Sequence, residues 1–577
     1  MTKRLPRSGR KKRICPMLAA VLLMFFLASP GTVMAQTAKP ELIGGVSPQE
    51  ALRLGEKMYR EGILPSGKPM QGMMQGDIPV EGDKFTCSNC HQRSGFGGLE
   101  GTVRTLPIDG ARLYSPMSTF KGMPLTKQAV ALKKAEGYYR PAYTDETLAK
   151  AMRTGEGPTG KQIFTTMPTY FLNDNDMAIL VYYLKHLSTG REPGVTDTGL
   201  KFATVITDEV AKEDREAMLG PLQNFISNWR ISKNMEFMVR KEAFVQEGTL
   251  TGIKKLSLDV WELKGPEESW RAQLEEYYKK APVFALLGGI TTKEWAPIHQ
   301  FCEDHEIPAV FPITNFPVIS DTDWYTLYLS KGLFQEGEAA ARYLNTREDL
   351  LKDMSIVQVF RKDRAGLALS KAFQETWLGL LRKAPENVPL EQGQTLNADF
   401  WKKLTEKHER AVVLMWLDAN DFPDLDRLAK DHSNPEIIFA SSSLLGKRLY
   451  ALPDKARGSV YLTYPYTFPQ NAGNYKPQME ALLKNSGGSN ANQFIEYKIL
   501  SLRMVVNGPI ARMRNYIYRE YFFEIMDELT DLSIVPVPYP RLSFGAGQRY
   551  ASKGCYIVQV GEGPQPGLVS RSEWVIH

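Results

Sequence analysis

At 577 residues the chain is longer than one hydrophobic core normally organises, so two or three domains are expected. Hydrophobic residues at 43% and charged residues at 24% exclude a disordered or low-complexity protein. The formal charge of +6 does not point to nucleic acid, because the first 35 residues hold seven of the 71 Lys and Arg and none of the 65 Asp and Glu.

Those first residues read as a secretory signal. A basic start runs from Lys3 to Arg13, an apolar stretch from Met17 to Ala28, and Val33-Met34-Ala35 offers a small-residue cleavage site before Gln36. Cleavage is expected after Ala35, with an uncleaved anchor helix as the alternative; both readings export the chain to the periplasm. Cys15 leaves with the signal, and Cys302 and Cys555 form either a disulfide or two separate buried thiols.

The next feature is Phe85-Thr86-Cys87-Ser88-Asn89-Cys90-His91. Two thiols separated by two residues can add to the two vinyl groups of one haem, and the adjacent imidazole can reach the iron. A zinc site would need a second pair of ligating cysteines, which the sequence lacks. The glycines in Ser94-Gly95-Phe96-Gly97-Gly98 either let backbone approach the porphyrin or form turns. Thr144 is placed to cap a helix that opens with Asp145.

An electron carrier of this kind commonly takes a Met thioether as its second axial ligand. Met167 is expected in that role, because Pro168 fixes the backbone beside it and an amphipathic helix follows from Asp174 to Leu187. Met123 also precedes a proline, but no closing helix follows it; Met117 and Met152 have no proline beside them. His186, at the end of that helix, reads as a surface residue.

The motif, the segment Met167 to Asp176 and the following Leu180-Val181-Tyr182-Tyr183-Leu184 together resemble class I cytochromes c. The resemblance covers about residues 46 to 190 and implies an all-α domain with one covalent haem c. It also implies a first helix around Pro48 to Arg60 packed against the last, with Gly55 and Tyr59 meeting Tyr182 or Tyr183.

Residues 191–199 are polar and rich in turn formers, and read as a linker. From residue 200 to 577, apolar strand-like runs alternate with helical segments: Phe202 to Ile206, Leu256 to Trp261, Val283 to Leu287, Ala309 to Phe311, Ser355 to Phe360, Ala411 to Trp416, Ile437 to Ala440 and Val460 to Leu462. This alternation predicts α/β units with parallel sheets, and the length favours two sheets with a ligand cleft between them. The tail around Cys555 to Val558 reads as a last strand crossing back over the domain.

The stretches Phe284 to Thr292, Ile307 to Thr314 and Tyr325 to Ser330 resemble type 1 periplasmic binding proteins of the branched-chain amino-acid receptor group. That resemblance implies a bilobal domain in which Thr291, Thr292 and Thr314 stand where hydroxyls bind a ligand carboxylate; the residues themselves suit helix capping and turns equally well. Where amino-acid receptors carry an acid for the ligand ammonium, the loop Gly332 to Gly337 offers Phe334, which argues against an amino acid. Trp416, Tyr464 and Tyr466 either line an apolar pocket or pack in the core.

The expected protein is a periplasmic electron carrier that exchanges single electrons with a partner such as a periplasmic dehydrogenase or another cytochrome. Its second domain binds or senses a small solute of unknown identity. The alternative is the substrate-binding component of an ABC-type transporter with an accessory haem. No catalytic arrangement is recognisable.

Overall fold

In a computed structural model the chain is described from residue 42 to 576, apart from residues 101–102, 119–138, 164–165, 230–254, 352–353, 409, 422–436, 469–475, 489–490, 530–537, 546 and 564–565. The signal segment and Met123 lie outside the described residues.

The N-terminal part is built on helices α1 (Pro48–Glu61), α2 (Cys87–His91), α3 (Gly110–Leu113), α4 (Asp145–Thr154) and α5 (Asp174–His186). Their ends follow local chemistry. Ser47 caps α1, and Gly62 closes it at φ 68°. Thr144 forms a capping box with Thr147 at the start of α4, and Asn173 accepts the Asp176 amide at the start of α5.

Helices α1 and α5 meet at Gly55, where a Cβ would lie 2.4 Å from Tyr183 Cβ. The absent side chain is what lets the two backbones approach. One turn on, the rings of Tyr59 and Tyr183 lie 5.5 Å apart. Tyr183 therefore makes the contact expected of the pair Tyr182 and Tyr183, while the Tyr182 ring packs at a tilt against His186.

This part is not purely helical. Strands β1 (Gln71–Met74), β2 (Ile78–Glu81) and β3 (Thr169–Tyr170) form a small antiparallel sheet. Gln75 and Gly76, both at positive φ, turn the chain between β1 and β2. The all-α expectation missed a hairpin whose signal is only one glycine and a few residues of alternation.

The remainder holds two sheets. In the first, β4 (Gly199–Thr207), β5 (Lys255–Leu263), β6 (Ala285–Leu287), β7 (Ala309–Val310) and β8 (Thr326–Leu327) run parallel in the order β8-β7-β6-β4-β5. Helices α6 (Lys212–Asn228), α7 (Trp270–Lys280) and α8 (Ala296–Asp304) connect them. Apolar cores lie on both faces, which is why these strands read as continuous apolar runs rather than alternating ones.

After Leu327 the chain passes through α9 (Leu333–Asn345) into the second sheet. There β9 (Ser355–Arg361), β10 (Glu386–Leu390), β11 (Ala411–Trp416), β12 (Ile437–Ser441) and β13 (Val460–Tyr464) are parallel, and α10 (Arg364–Gly379) and α11 (Ala398–Lys407) join them. The chain then returns to the first sheet as α12 (Gln493–Met513) and α13 (Arg519–Asp527). It crosses back to end on the antiparallel strands β14 (Gly554–Val560), β15 (Leu568–Ser570) and β16 (Val575–Ile576). Arg364 of the second sheet's first helix reaches Glu267 beside the first sheet at 2.6 Å, so the two halves touch.

Cys302 and Cys555 are both buried and free, one in the core of each half. Of the two alternatives, the structure shows separate buried thiols.

Candidate functional site

Thr86 caps α2, its hydroxyl accepting the Asn89 amide at 3.2 Å. One turn of helix then places Cys87 and Cys90, three residues apart, on one face. The His91 Nδ1 atom lies 3.0 Å from the Leu106 carbonyl oxygen. A carbonyl can only accept, so Nδ1 carries the proton and Nε2 keeps the lone pair that an iron requires. Burial lowers the His91 pKa, which favours the neutral imidazole a metal needs.

The loop after the motif holds this arrangement. Gly97 donates to the His91 carbonyl at 2.9 Å, and a Cβ on Gly97 would lie 2.3 Å from the Thr105 carbonyl oxygen. Gly95 and Gly97 both sit at positive φ. These two glycines therefore turn the chain and bring residues 105–106 close enough for Leu106 to reach His91.

Tyr170 reaches the haem motif from the far side of the fold. Its hydroxyl donates to the Phe85 carbonyl at 3.3 Å and also faces the Cys87 thiol, while β3 pairs it with β1. Burial pushes the Cys87 thiol up to about 12. Three residues before Tyr170, Met167 is half-buried against the same apolar core that Cys87 borders. Met152 is buried within that core, and His186 is exposed, bonded to its own helix through the Tyr182 carbonyl at 2.7 Å. The donor set of two thiols outside any disulfide, a neutral imidazole with an open Nε2 and a thioether on one apolar core suits a covalent haem. Among the described residues, no group of three His, Cys, Asp or Glu side chains offers a rival metal cluster.

The haem motif does not stand alone. The segment just after it is bolted to α13, more than 400 residues later. Glu520 accepts from Arg60 Nη2 at 2.9 Å, Arg93 Nε at 3.0 Å, Trp324 Nε1 at 3.0 Å and the Tyr325 hydroxyl. Burial pushes the Glu520 carboxyl up, but Arg60, Arg93 and the Tyr325 hydroxyl outweigh it and hold it below the usual carboxylate range. One turn along, Glu524 accepts from both the amide, at 2.7 Å, and the hydroxyl of Ser94. Burial lifts Glu524 to about 8, against the pull of those two donors. Phe96 lies edge-on to Tyr516, Tyr518 and Tyr521, and Arg112 stacks between Phe96 and Tyr516. Nothing in the sequence flags Glu520 or Glu524, because each is an isolated acid on an ordinary amphipathic helix.

In the α/β part the threonines are already engaged. Glu209 Oε1 accepts from Thr291 Oγ1 at 2.9 Å, from the Thr292 amide at 3.2 Å and from Thr292 Oγ1 at 3.3 Å. Desolvation would raise this carboxylate, yet its hydroxyl and amide donors hold it down at about 2. Thr291 and Thr292 do bind a carboxylate, as their type suggests, but it belongs to the chain. Thr314 caps its own turn, accepting the Phe316 amide at 3.0 Å. Gly332 to Gly337 is not a loop but the start of α9; Phe334 lies on that helix, and Glu336 behind it is fully buried, accepting from Thr463 at 2.6 Å. Trp416 is core, its Nε1 donating to buried Gln358 at 2.8 Å. Tyr464 and Tyr466 instead join an aromatic group with Phe468, Phe494 and Tyr539.

Comparison with known proteins gives two findings. The family model described as cytochrome c matches residues 83–188. No curated protein matches the chain. Solved structures similar to it include a leucine-binding protein from Thermotoga maritima, 14% identical with a TM-score of 0.43, covering 65% of this chain and 99% of that one. An ABC transporter substrate-binding protein from Sphaerobacter thermophilus is 12% identical with a TM-score of 0.47, covering 66% and 98%. A fatty acid ABC transporter substrate-binding protein from Thermomonospora curvata is 13% identical with a TM-score of 0.41, covering 67% and 95%. The family match falls on the motif, the Leu106 carbonyl and the Met167 segment, and residues 83–188 are a cytochrome c domain.

Proposed function

We propose that the chain is an exported single-electron carrier with one haem c attached through Cys87 and Cys90. His91 Nε2 and the Met167 sulfur are its axial ligands. The haem domain takes in residues 46–190, because α1 packs on α5 at Gly55 and belongs to the same core as the motif. The observation that carries this reading is the His91 Nδ1 contact to Leu106, which leaves the other ring nitrogen free beside two reduced thiols. Haem supplies the redox chemistry when bound. The residues of this chain hold it, exclude water through the apolar core around Met167 and keep His91 neutral.

The α/β part, from residue 200, is read as a binding domain for a small solute. The segments just past the carboxyl ends of β5 and β9, one strand from each sheet, meet at Arg364–Glu267, and open α/β sheets bind ligands outside such ends. Its firm attachment to the segment after His91 favours a sensing or docking role next to a redox partner, such as a periplasmic dehydrogenase or a second cytochrome. Delivery to a transporter is the second reading, favoured by the same two-sheet arrangement.

Met167→Ala tests the ligand set. The visible spectrum is expected to lose its low-spin form and the reduction potential to fall, since a thioether favours the reduced iron. An unchanged potential contradicts the assignment of Met167.

A further inference from the structure

Lys498 is only 8% exposed, and its ammonium lies 4.7 Å over the ring of Phe494. Among the described residues it has no carboxylate and no hydrogen-bond acceptor. Arg519, Arg549 and Arg457, buried cations of the same part, each have a carboxylate or carbonyl partner. Arg519 donates to the Val283, Phe284 and His305 carbonyls, Arg549 pairs with Asp527, and Arg457 donates to Leu452 and Gly561. A charge largely withdrawn from water without a partner destabilises a fold, so its position calls for a reason. Burial lowers the Lys498 pKa to about 8, which still leaves the ammonium mostly charged at neutral pH.

The position is specific. On α12, Ile495, Ile499 and Leu502 pack into the core of the first sheet, and Ile499 and Leu502 lie beside Gly288 at the carboxyl end of β6. Phe494 and Lys498, four residues apart, share a neighbouring face of the helix. From there Phe494 meets Tyr466 edge-on at 4.9 Å, just past β13, and the Tyr466 hydroxyl lies 2.6 Å from Ser443, just past β12. The helix that carries Lys498 therefore touches the carboxyl end of β6 in the first sheet through Ile499 and Leu502 and, through Phe494 and Tyr466, the segment just past β13 in the second. A second unpartnered group sits close by in sequence to that contact: the Ser442 hydroxyl, next to Ser443, is buried with no hydrogen-bond partner among the described residues.

We propose that Lys498 is the anion-recognition residue of the cleft between the two sheets, taking a small organic carboxylate whose apolar body packs on Phe494 and Tyr466. This rests on the reading of the α/β part as a binding domain. The apolar walls set the class: Phe494 is 37% exposed, leaving ring surface for a hydrocarbon group beside the charge. It also separates this subsite from Thr291 and Thr292, which Glu209 already occupies.

The test uses the full haem-loaded chain with three matched pairs: benzoate and benzamide, phenylacetate and phenylacetamide, isovalerate and isovaleramide. At least one carboxylate is expected to raise the melting temperature and bind at least tenfold more tightly by calorimetry than its amide. Lys498→Met is expected to lose that binding tenfold or more while keeping its haem spectrum, and to melt higher than wild type without ligand because an unpaired buried charge is gone. Lys498→Arg keeps the charge and is expected to retain part of the affinity. Equal binding of acid and amide, or undiminished binding by Lys498→Met, overturns the proposal. If all three acids fail while a neutral or cationic solute from a broader screen stabilises the protein, the anion subsite falls and the binding domain stands. Silence towards every solute overturns both.

Discussion

Glu520→Ala is expected to unfasten the haem domain from the α/β part. The carboxylate gathers Arg60 and Arg93 with the Trp324 and Tyr325 donors, and its side chain is only 13% exposed. Truncating it takes the carboxylate from Arg93 in a largely dry interface, while Arg60 keeps Glu56 and Glu306, and removing one partner of a buried ion pair costs about 3–5 kcal/mol. Arg60 and Arg93 keep 14% and 21% of their side-chain exposure, so some water reaches them and the loss belongs near the lower end, about 3 kcal/mol. The two parts carry separate optical reports: all nine tryptophans lie beyond residue 228, whereas the Soret band reports the haem domain. Urea unfolding of wild type is expected to give one midpoint by absorbance and fluorescence. In Glu520→Ala the two curves are expected to separate, and adding Arg93→Ala to lose less than the sum of the single changes, because both act on one contact. Coincident curves with an unshifted midpoint would refute the view that Glu520 joins the two parts.

The neighbouring acid sets a pH dependence. Glu524 rises from 4.5 to about 8, so between those values the folded chain keeps a proton that the unfolded chain releases. Its contribution is therefore full below about pH 4.5 and is lost as the pH climbs through about 8, at a slope of at most about 1.4 kcal/mol per unit. Asp527, raised to about 6, acts with the same sign over a lower window. Glu524→Gln should flatten the upper part of the stability profile measured by urea titration from pH 5 to 9; a profile matching wild type would remove Glu524 as its source. Gly55→Ala should destabilise the haem domain by about 1–3 kcal/mol in the same unfolding assay, because the new methyl meets Tyr183 Cβ and the Ile179 carbonyl and forces α1 and α5 apart. A neutral effect would mean that the helices do not pack at Gly55.

What the sequence revealed depended on how local the physics was. Cys87, Cys90 and His91 stand out in the sequence because covalent attachment of a haem would demand thiols and an imidazole within one helical turn, and Met167 is singled out because a proline and a capped helix follow it. Eight strands of the two sheets are legible as apolar runs, whereas β10, largely exposed, carries no such run and is missed. The hairpin at Gln75 and Gly76 was too short to stand out. Glu520 and Glu524 are invisible in the sequence because the haem-domain groups they hold lie more than 400 residues away, where no spacing rule applies. The sequence marks Thr291 and Thr292 for a ligand carboxylate, and in the structure they bond Glu209, two residues past β4, a partner that no spacing rule announces. The helix at Leu333 was mistaken for a loop because Gly332 at φ 58° starts it without a side-chain cap.

The central claim is a single haem held covalently by the motif at residues 87–91. The most direct measurement is mass spectrometry of the purified chain after acid–acetone extraction, with the haem-bearing peptide mapped by fragmentation. The account predicts one haem that survives extraction, on the peptide containing Cys87 and Cys90, and its complete loss when both become serine. Haem removed by the extraction, or haem mass retained in the double serine variant, would contradict it.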